Sequence, residues 1–376
     1  MKVYLDNGAT TKLDDSVTKA ILPYFNEKYG NASSLHSKGQ EAKMALEESR
    51  EIIAKKLKAR PDEIIFTSGG TESDNLALKG VAQLHDSGHI ITTKIEHPAI
   101  TNTCKELEKQ FEVTYLDVDK EGFISLHQLK NSIKPNTILI SIMHANNEIG
   151  TIQPLKEIGE IAKEHKILFH SDAVQSFTKE DINTKKINID LISISAHKIH
   201  GPKGIGALYV KNKTKLKKQI LGGKHEYNLR AGTENVSSAV GFAKAVQVSN
   251  KKDIKHMKKL RDYFITNILK IKHTKLNGPK ERLCNNINLS FAYIEGESIG
   301  ALLDAKGICS STGSACSSKE LKASAVLEAI HLPPEYINGS LRLTMSKFTT
   351  KEELDYTLEE LKKIVEKLRK LSPLGK

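Results

Sequence analysis

With 376 residues, 39% hydrophobic and 27% charged, and 24 Gly against 10 Pro, the chain can bury a large core, which excludes disordered, fibrous and disulfide-scaffold classes. Its net charge of +12 invites a nucleic-acid or acidic-protein partner. No aromatic–basic interleaving accompanies the lysines of Lys211 to Lys218 and Lys251 to Lys259, so direct nucleic-acid binding is not expected. No run approaches the ~18 apolar residues of a membrane span, and no signal-like apolar stretch follows the first basic residue. Cys104, Cys284, Cys309 and Cys316 form no CxxC pair, so a reducing, cytoplasmic location is expected.

In chain order, Ala42, Ala45, Leu46, Ile53 and Leu57 share one face and predict a long amphipathic helix from about Ser37 to Lys58. Short β-branched runs follow at Glu63 to Thr67, His89 to Thr93, Val113 to Leu116, Thr137 to Ile142, Ile167 to His170, Leu191 to Ser195 and Ala207 to Val210. Helical stretches such as Leu155 to His165 separate several of them, which predicts an α/β fold with a largely parallel sheet. Beyond Lys251, Ile254, Met257 and Leu260 recur at spacing three, the mark of a helix with a lysine-rich solvated back. Strands are expected at Asn286 to Phe291 and Ser340 to Met345, and a charged C-terminal helix from near Thr350, together a smaller α+β domain. The expected division is 12–252 for the large domain, and 1–11 with 253–376 for the small one.

Three stretches carry candidate chemistry. Thr67-Ser-Gly-Gly-Thr-Glu-Ser73 joins a strand to a helix through small residues, leaving backbone N–H groups that suit a phosphate, though an ordinary capped helix has the same look. Lys198 lies just past a core strand, where an ammonium is costly to bury and an imine with an aldehyde cofactor is not; Ser195 and His197 stand beside it for a phosphate. A solvated loop lysine is the plainer alternative. Asp172 ends an apolar strand and needs a cation, such as a protonated pyridine nitrogen, unless it merely caps a helix; Gln175 follows within reach of a phenolic oxygen.

These segments resemble, in order and nearly end to end, the cysteine desulfurases of the NifS and IscS type, within the aminotransferase-like fold of pyridoxal-phosphate enzymes. The resemblance includes Tyr4-Leu-Asp-Asn-Gly-Ala-Thr-Thr11, Gly30-Asn-Ala-Ser-Ser-Leu-His36, Glu96-His97, Asn146-Asn-Glu-Ile-Gly150, the Ser195 to Gly204 segment, Arg230-Ala-Gly-Thr233 and Gly313-Ser-Ala-Cys-Ser317. It implies a large domain with a mainly parallel seven-stranded sheet, and pyridoxal 5'-phosphate attached through Lys198. It further implies Asp172 on the ring nitrogen, Gln175 on the phenolic oxygen, and His97 stacked on the ring and able to move protons. Gly70, Thr71, Ser195 and His197 match phosphate contacts. Thr233 matches one supplied by the other subunit, which implies a homodimer. Asn147 and Arg342 match residues near the substrate, Arg342 as the partner of an amino-acid carboxylate, and Asn147 also borders the cofactor.

Cys316 sits in a run of small polar residues, Ser310 to Ser318, whose composition favours a mobile loop. The resemblance makes it the thiol that takes sulfur from L-cysteine as a persulfide, releases L-alanine, and passes sulfur to an iron–sulfur scaffold protein or another acceptor. No resident metal is expected, although Cys316 and a partner could transiently ligate an iron–sulfur cluster. The chain departs from the family at Lys224 and His225, where Gly and Gln are usual, at Ser346-Lys347 for Gly-Arg, and at Gly8 and Ala32 for Ala and Pro. Competing readings are a β-eliminating lyase, a selenocysteine-preferring relative, and a non-catalytic binding protein on the same fold.

Overall fold

The computed structural model describes residues 1–312 and 324–372. Strand β1 (Val3–Tyr4) is followed by β2 (Ile64–Thr67), β3 (His89–Thr93), β4 (Glu112–Leu116), β5 (Thr137–Ser141), β6 (Leu168–Asp172), β7 (Leu191–Ser195) and β8 (Gly206–Val210). The last seven form one sheet in the order β2-β8-β7-β6-β5-β3-β4, parallel throughout except for β8, which runs antiparallel to both of its neighbours. The expected α/β class and seven-stranded, mainly parallel sheet are what the chain adopts. The strands read as unbroken apolar runs because helices cover both faces, so the period-2 alternation of a half-exposed sheet is lost. One face carries a core including Phe169, Phe177 and Phe242, the other a core including Leu76, Leu78 and Leu208.

A second hydrophobic cluster joins Leu5, Phe264, Leu289, Leu343 and Leu361. Its strands are β9 (Thr274–Leu276), β10 (Asn286–Phe291) and β12 (Ser340–Thr344), which pair antiparallel in the order β12-β10-β9, while β11 (Ile308–Cys309) pairs parallel with β1. The chain start is thereby stitched to its last third. Val326, Leu327, Ile330 and Leu332 instead pack into the core of the large sheet.

Element edges follow local chemistry. The sheet begins at Ile64 rather than Glu63 because Pro61–Glu63 forms a 3-10 turn, closed by the Arg60 N–H donating to Glu63 Oε2 at 2.8 Å. Helix Lys351–Leu371 starts where expected, with Thr350 and Glu353 completing a capping box. Helix Val236–Val248 has no signature in the hydrophobic period because its Val, Ala and Phe residues leave little polar face; it is largely buried against helix Ser37–Leu57.

Arg50 on helix Ser37–Leu57 and Glu226 form an ion pair at 2.7 Å and 2.9 Å, with both side chains 3% exposed. Arg50 Nη1 also donates to the Ile64 carbonyl and the Phe66 N–H donates to Glu226 Oε2, so the pair fastens helix, edge strand β2 and the 222–234 segment together. Removing one partner strands a buried charge. Glu226→Ala is therefore expected to cost about 3–5 kcal/mol, with Glu226→Gln in between, read from the urea midpoints of the three proteins; an unchanged midpoint would show that the pair fastens nothing.

Candidate active site

Strands β2, β3, β5, β6 and β7 all point the same way, and their carboxyl ends open on one edge of the sheet, the usual place for a ligand in such folds. Each contributes the residues that follow it. After β2 come Gly70 and Thr71, opening helix Gly70–Ala82; after β3, His97; after β5, Asn147; β6 ends in Asp172 itself; and β7 ends at Ser195, followed by the turn that presents His197 and Lys198. One pocket is lined by Gly70, Thr71, His97, Asn147, Asp172, Gln175, His197 and Lys198, together with Asp74, Met143 and Val174.

Asp172 is 6% exposed, and the Val174 N–H donates to its Oδ1 at 2.8 Å. Burial raises its pKa, and the neighbouring His97, the Val174 N–H and Lys198 pull it back down. Lys198 Nζ donates to the Gly8 carbonyl at 2.5 Å and the Ala9 carbonyl at 2.7 Å. Burial, then the positive charges of Arg342 and Lys179, bring this amine down to about 8. His97 caps helix Pro98–Leu107, its Nδ1 accepting from the Ala99 N–H at 3.1 Å, so a neutral ring carries its proton on Nε2. Burial lowers its pKa, which keeps the ring neutral. Burial also takes His197 to about 4, assisted by Lys198, Lys203 and Lys179.

Gln175 Nε2 donates to the Gly8 carbonyl at 3.0 Å, and Arg342 Nη1 donates to the Asn147 carbonyl at 3.1 Å. Arg342 thus adjoins the pocket through Asn147. Ser195 is 1% exposed and does not line the pocket, but its Oγ is buried with no hydrogen-bond partner among the described residues. Thr233 is exposed and lines a separate depression with Ser68, Gly204 and Arg230. Cys316 lies outside the described residues.

Four contributors carried no expectation. Glu96 is buried, its Oε1 accepting from Thr93 Oγ1 at 2.8 Å and the Met143 N–H at 2.9 Å, which ties the turn before His97 to the end of β5. Lys179 Nζ donates to the Gln175 carbonyl at 2.9 Å and the Lys198 carbonyl at 3.2 Å, tying the segments after β6 and β7 together. Asp74 is buried and lines the same pocket as Asp172, and Asp6 pairs with Arg342 at 3.0 Å. Only Glu96 and Asp6 had a sequence signal, their places in the Glu96-His97 and Tyr4 to Thr11 stretches.

The donor set fits pyridoxal phosphate. Among the described residues no cation bonds to the buried Asp172 carboxylate, which shares its pocket with the low-pKa amine, and the buried Ser195 hydroxyl has no partner. The first turn of the 13-residue helix Gly70–Ala82 is kept open by a glycine whose Cβ would stand 2.8 Å from Val174 Cγ2. The neutral amine is the nucleophilic form. Capture of pyridoxal phosphate by the apoprotein should therefore accelerate as the pH rises through about 8 and then level off, read from the growth of cofactor absorbance. A rate still climbing at the ordinary lysine value of 10.5 would show that burial does not depress Lys198.

Residues 3–357 match the model of the aminotransferase class-V family. The chain is 54% identical to a cysteine desulfurase IscS of Dictyoglomus turgidum, over 99% of this chain and 96% of that one. Among solved structures, a NifS-like protein superposes with a TM-score of 0.93 at 38% identity, covering 98% of this chain and 100% of the other. SspA in complex with cysteine superposes with a TM-score of 0.84 at 37% identity, covering 93% of this chain and 100% of SspA. With fold, site and sequence in agreement over nearly its whole length, the chain belongs to the class-V aminotransferase family and, within it, to the pyridoxal-phosphate-dependent cysteine desulfurases.

Proposed function

We propose that this protein takes sulfur from L-cysteine onto Cys316 and releases L-alanine, with Lys198, His97 and Asp172 as the groups that act at the cofactor. The observation that carries the reading is the convergence of a low-pKa amine, a buried carboxylate and an amino-acid-sized pocket that adjoins a buried guanidinium.

When bound, pyridoxal phosphate supplies a ring that withdraws electrons from the carbon bearing the substrate amine. Asp172 would hold the ring nitrogen, and Gln175 the phenolic oxygen. Gly70, Thr71, Ser195 and His197 would hold the phosphate. Lys198 Nζ takes the α-proton of L-cysteine and later returns a proton, which a group titrating near 8 does at little cost in either direction. His97, with Nδ1 occupied by its cap, exchanges a proton through Nε2. Arg342 binds the substrate carboxylate, with Asn147 alongside. The Cys316 thiolate attacks the substrate sulfur, the carbon–sulfur bond breaks, and the persulfide travels to an acceptor thiol on an iron–sulfur scaffold protein or a similar recipient.

The same reading makes the protein a cytoplasmic homodimer. In its own chain Thr233 is exposed and apart from the Lys198 pocket, which suits a contact delivered to the partner subunit's phosphate. Phe25, Tyr29, Leu35 and Met44 are exposed apolar side chains that a second copy would cover. Among the described residues no helix is long and apolar enough to cross a membrane. The separate cluster around Leu5, Leu289 and Leu343 supports a small domain of residues 1–11 and 253–376 beside a cofactor-binding domain of 12–252, except that Val326, Leu327, Ile330 and Leu332 pack with the larger unit.

The holoenzyme with L-cysteine and a thiol reductant should yield alanine and sulfide in equal amounts. Cys316→Ala should keep the cofactor spectrum and lose about a hundredfold or more in alanine formation, while Lys198→Ala should lose both. Mass spectrometry after one turnover should find one added sulfur on the Cys316 peptide. Alanine formed at the wild-type rate without Cys316, or pyruvate in its place, would refute the persulfide route.

A further inference from the structure

Residues Asp6 to Ala9 run alongside the pocket and touch both of its working cations. The Gly8 and Ala9 carbonyls accept from Lys198 Nζ, and Asp6 Oδ1 accepts from Arg342 Nη2 at 3.0 Å. The segment is fixed by contacts that do not involve the Asp6 carboxylate. The Gly8 N–H donates to Thr344 Oγ1 at 2.6 Å, Asn7 Nδ2 donates to the Thr344 carbonyl at 2.8 Å, and Tyr4 Oη donates to the Asp6 and Thr10 carbonyls. The carboxylate is therefore not needed to place the chain. It is placed, 21% exposed, on the guanidinium of a side chain that is itself 5% exposed.

Arg342 has five N–H donors in a planar fork. One reaches the Asn147 carbonyl, one reaches Asp6, and Nε is buried without a hydrogen-bond partner among the described residues. Asp6 holds a single nitrogen through a single oxygen, so the fork keeps donors for a second carboxylate. Any such carboxylate arrives at a cation that Asp6 has already neutralised.

We propose that Asp6 is a specificity-determining residue of the substrate-carboxylate subsite, orienting Arg342 through one hydrogen bond and weakening the subsite's hold on carboxylates through its charge. The proposal rests on the reading of Arg342 as the carboxylate partner. Its chemical sense lies in the product. L-Alanine carries the same ammonium and carboxylate as L-cysteine and lacks only the sulfur, so a subsite that gripped carboxylates tightly would retain product as firmly as substrate. A built-in anion lowers both affinities and favours exit.

The test uses holoenzyme and two ligands, L-alanine and ethylamine, the second being the first without its carboxylate. Dissociation constants are read from the change in cofactor absorbance. Asp6→Asn keeps an accepting oxygen and removes the charge. It should tighten L-alanine about three- to tenfold, the range for losing a partly exposed repulsive charge, leave ethylamine unchanged, and lower KM for L-cysteine without raising kcat. Asp6→Ala loses the hydrogen bond as well and should lower kcat; a wild-type kcat there would overturn the orienting role. If Arg342→Gln weakens L-alanine alone while Asp6→Asn leaves L-alanine untouched, or tightens both ligands equally, the proposal for Asp6 is wrong and the reading of Arg342 stands. If Arg342→Gln leaves the ratio of the two affinities at its wild-type value, the carboxylate is bound elsewhere and both fail.

Discussion

Everything at this site depends on putting an amine and a carboxylate out of water at the carboxyl ends of neighbouring strands. β6 and β7 are hydrogen-bonded along Ser171 and Asp172, so Asp172 and the turn bearing Lys198 leave the sheet side by side. Burial then acts on both in the direction of neutrality, raising the acid and lowering the amine, while their mutual attraction opposes it. The amine ends near 8, a value that suits the nucleophile and proton carrier of the proposed function. A lysine in water would hold its proton too tightly for either task. The parallel sheet is what makes this possible, because it opens the carboxyl ends of neighbouring strands side by side on one edge.

That arrangement also explains what the sequence disclosed and what it hid. Strands buried on both faces appear as runs of Ile, Leu and Val, which is why β3 and β7 are found to the residue and β6 is missed by one residue at its start and two at its end. β1, two residues long, and β9, three, are too short to carry a period and exist because partners were already in place. Lys198, Asp172 and Gln175 were legible because each sits just after an apolar run, and His97 through the family resemblance. The role of Asp6, despite its place in the Tyr4 to Thr11 stretch, and that of Lys179 were not, since they arise from a contact with a residue 336 positions away in the one case and with two separate turns in the other. Cys316 was legible only through its neighbours' composition and the family resemblance.

Behind the reacting groups lies a second set of buried polar side chains. His170 shares hydrogen bonds with Ser141 Oγ at 2.9 Å and Ser193 Oγ at 3.0 Å, and stands 3.7 Å from Asp74. Burial takes His170 to about 3, so it is neutral at working pH, and raises Asp74 well above the usual carboxylate range, with Asp172 adding to the rise. Burial and their mutual repulsion thus both disfavour charging Asp74 and Asp172 together. These groups oppose folding from opposite sides of the pH scale. Glu96, pushed up to about 8, holds its proton in the folded state when the unfolded chain has lost it, so stability falls as pH rises from the ordinary value of 4.5 to about 8. His170 does the reverse: its depressed value means stability is lost as pH falls below 6.5 towards 3. Such costs are ones a purely structural core would avoid, which is itself a reason to read the layer as part of the site.

The departures from the family pattern follow the same division between reacting groups and their supports. Lys224 is exposed, and His225 Nδ1 accepts from the Gly232 N–H at 3.2 Å, bracing the residue before Thr233. Gly8 stands where a Cβ would lie 3.1 Å from Thr344 Cγ2 and 3.4 Å from the Arg342 guanidinium carbon, so the missing methyl relieves crowding beside Arg342. Lys347 pairs with Asp14 at 2.5 Å, an ion pair in which burial is outweighed and Asp14 is held well below its usual value. None of these positions bears a group that exchanges a proton, binds the cofactor covalently or accepts sulfur. The substitutions therefore act on how firmly the segments around Arg342 and Thr233 are held, apart from the residues to which the proposed function gives the bond changes.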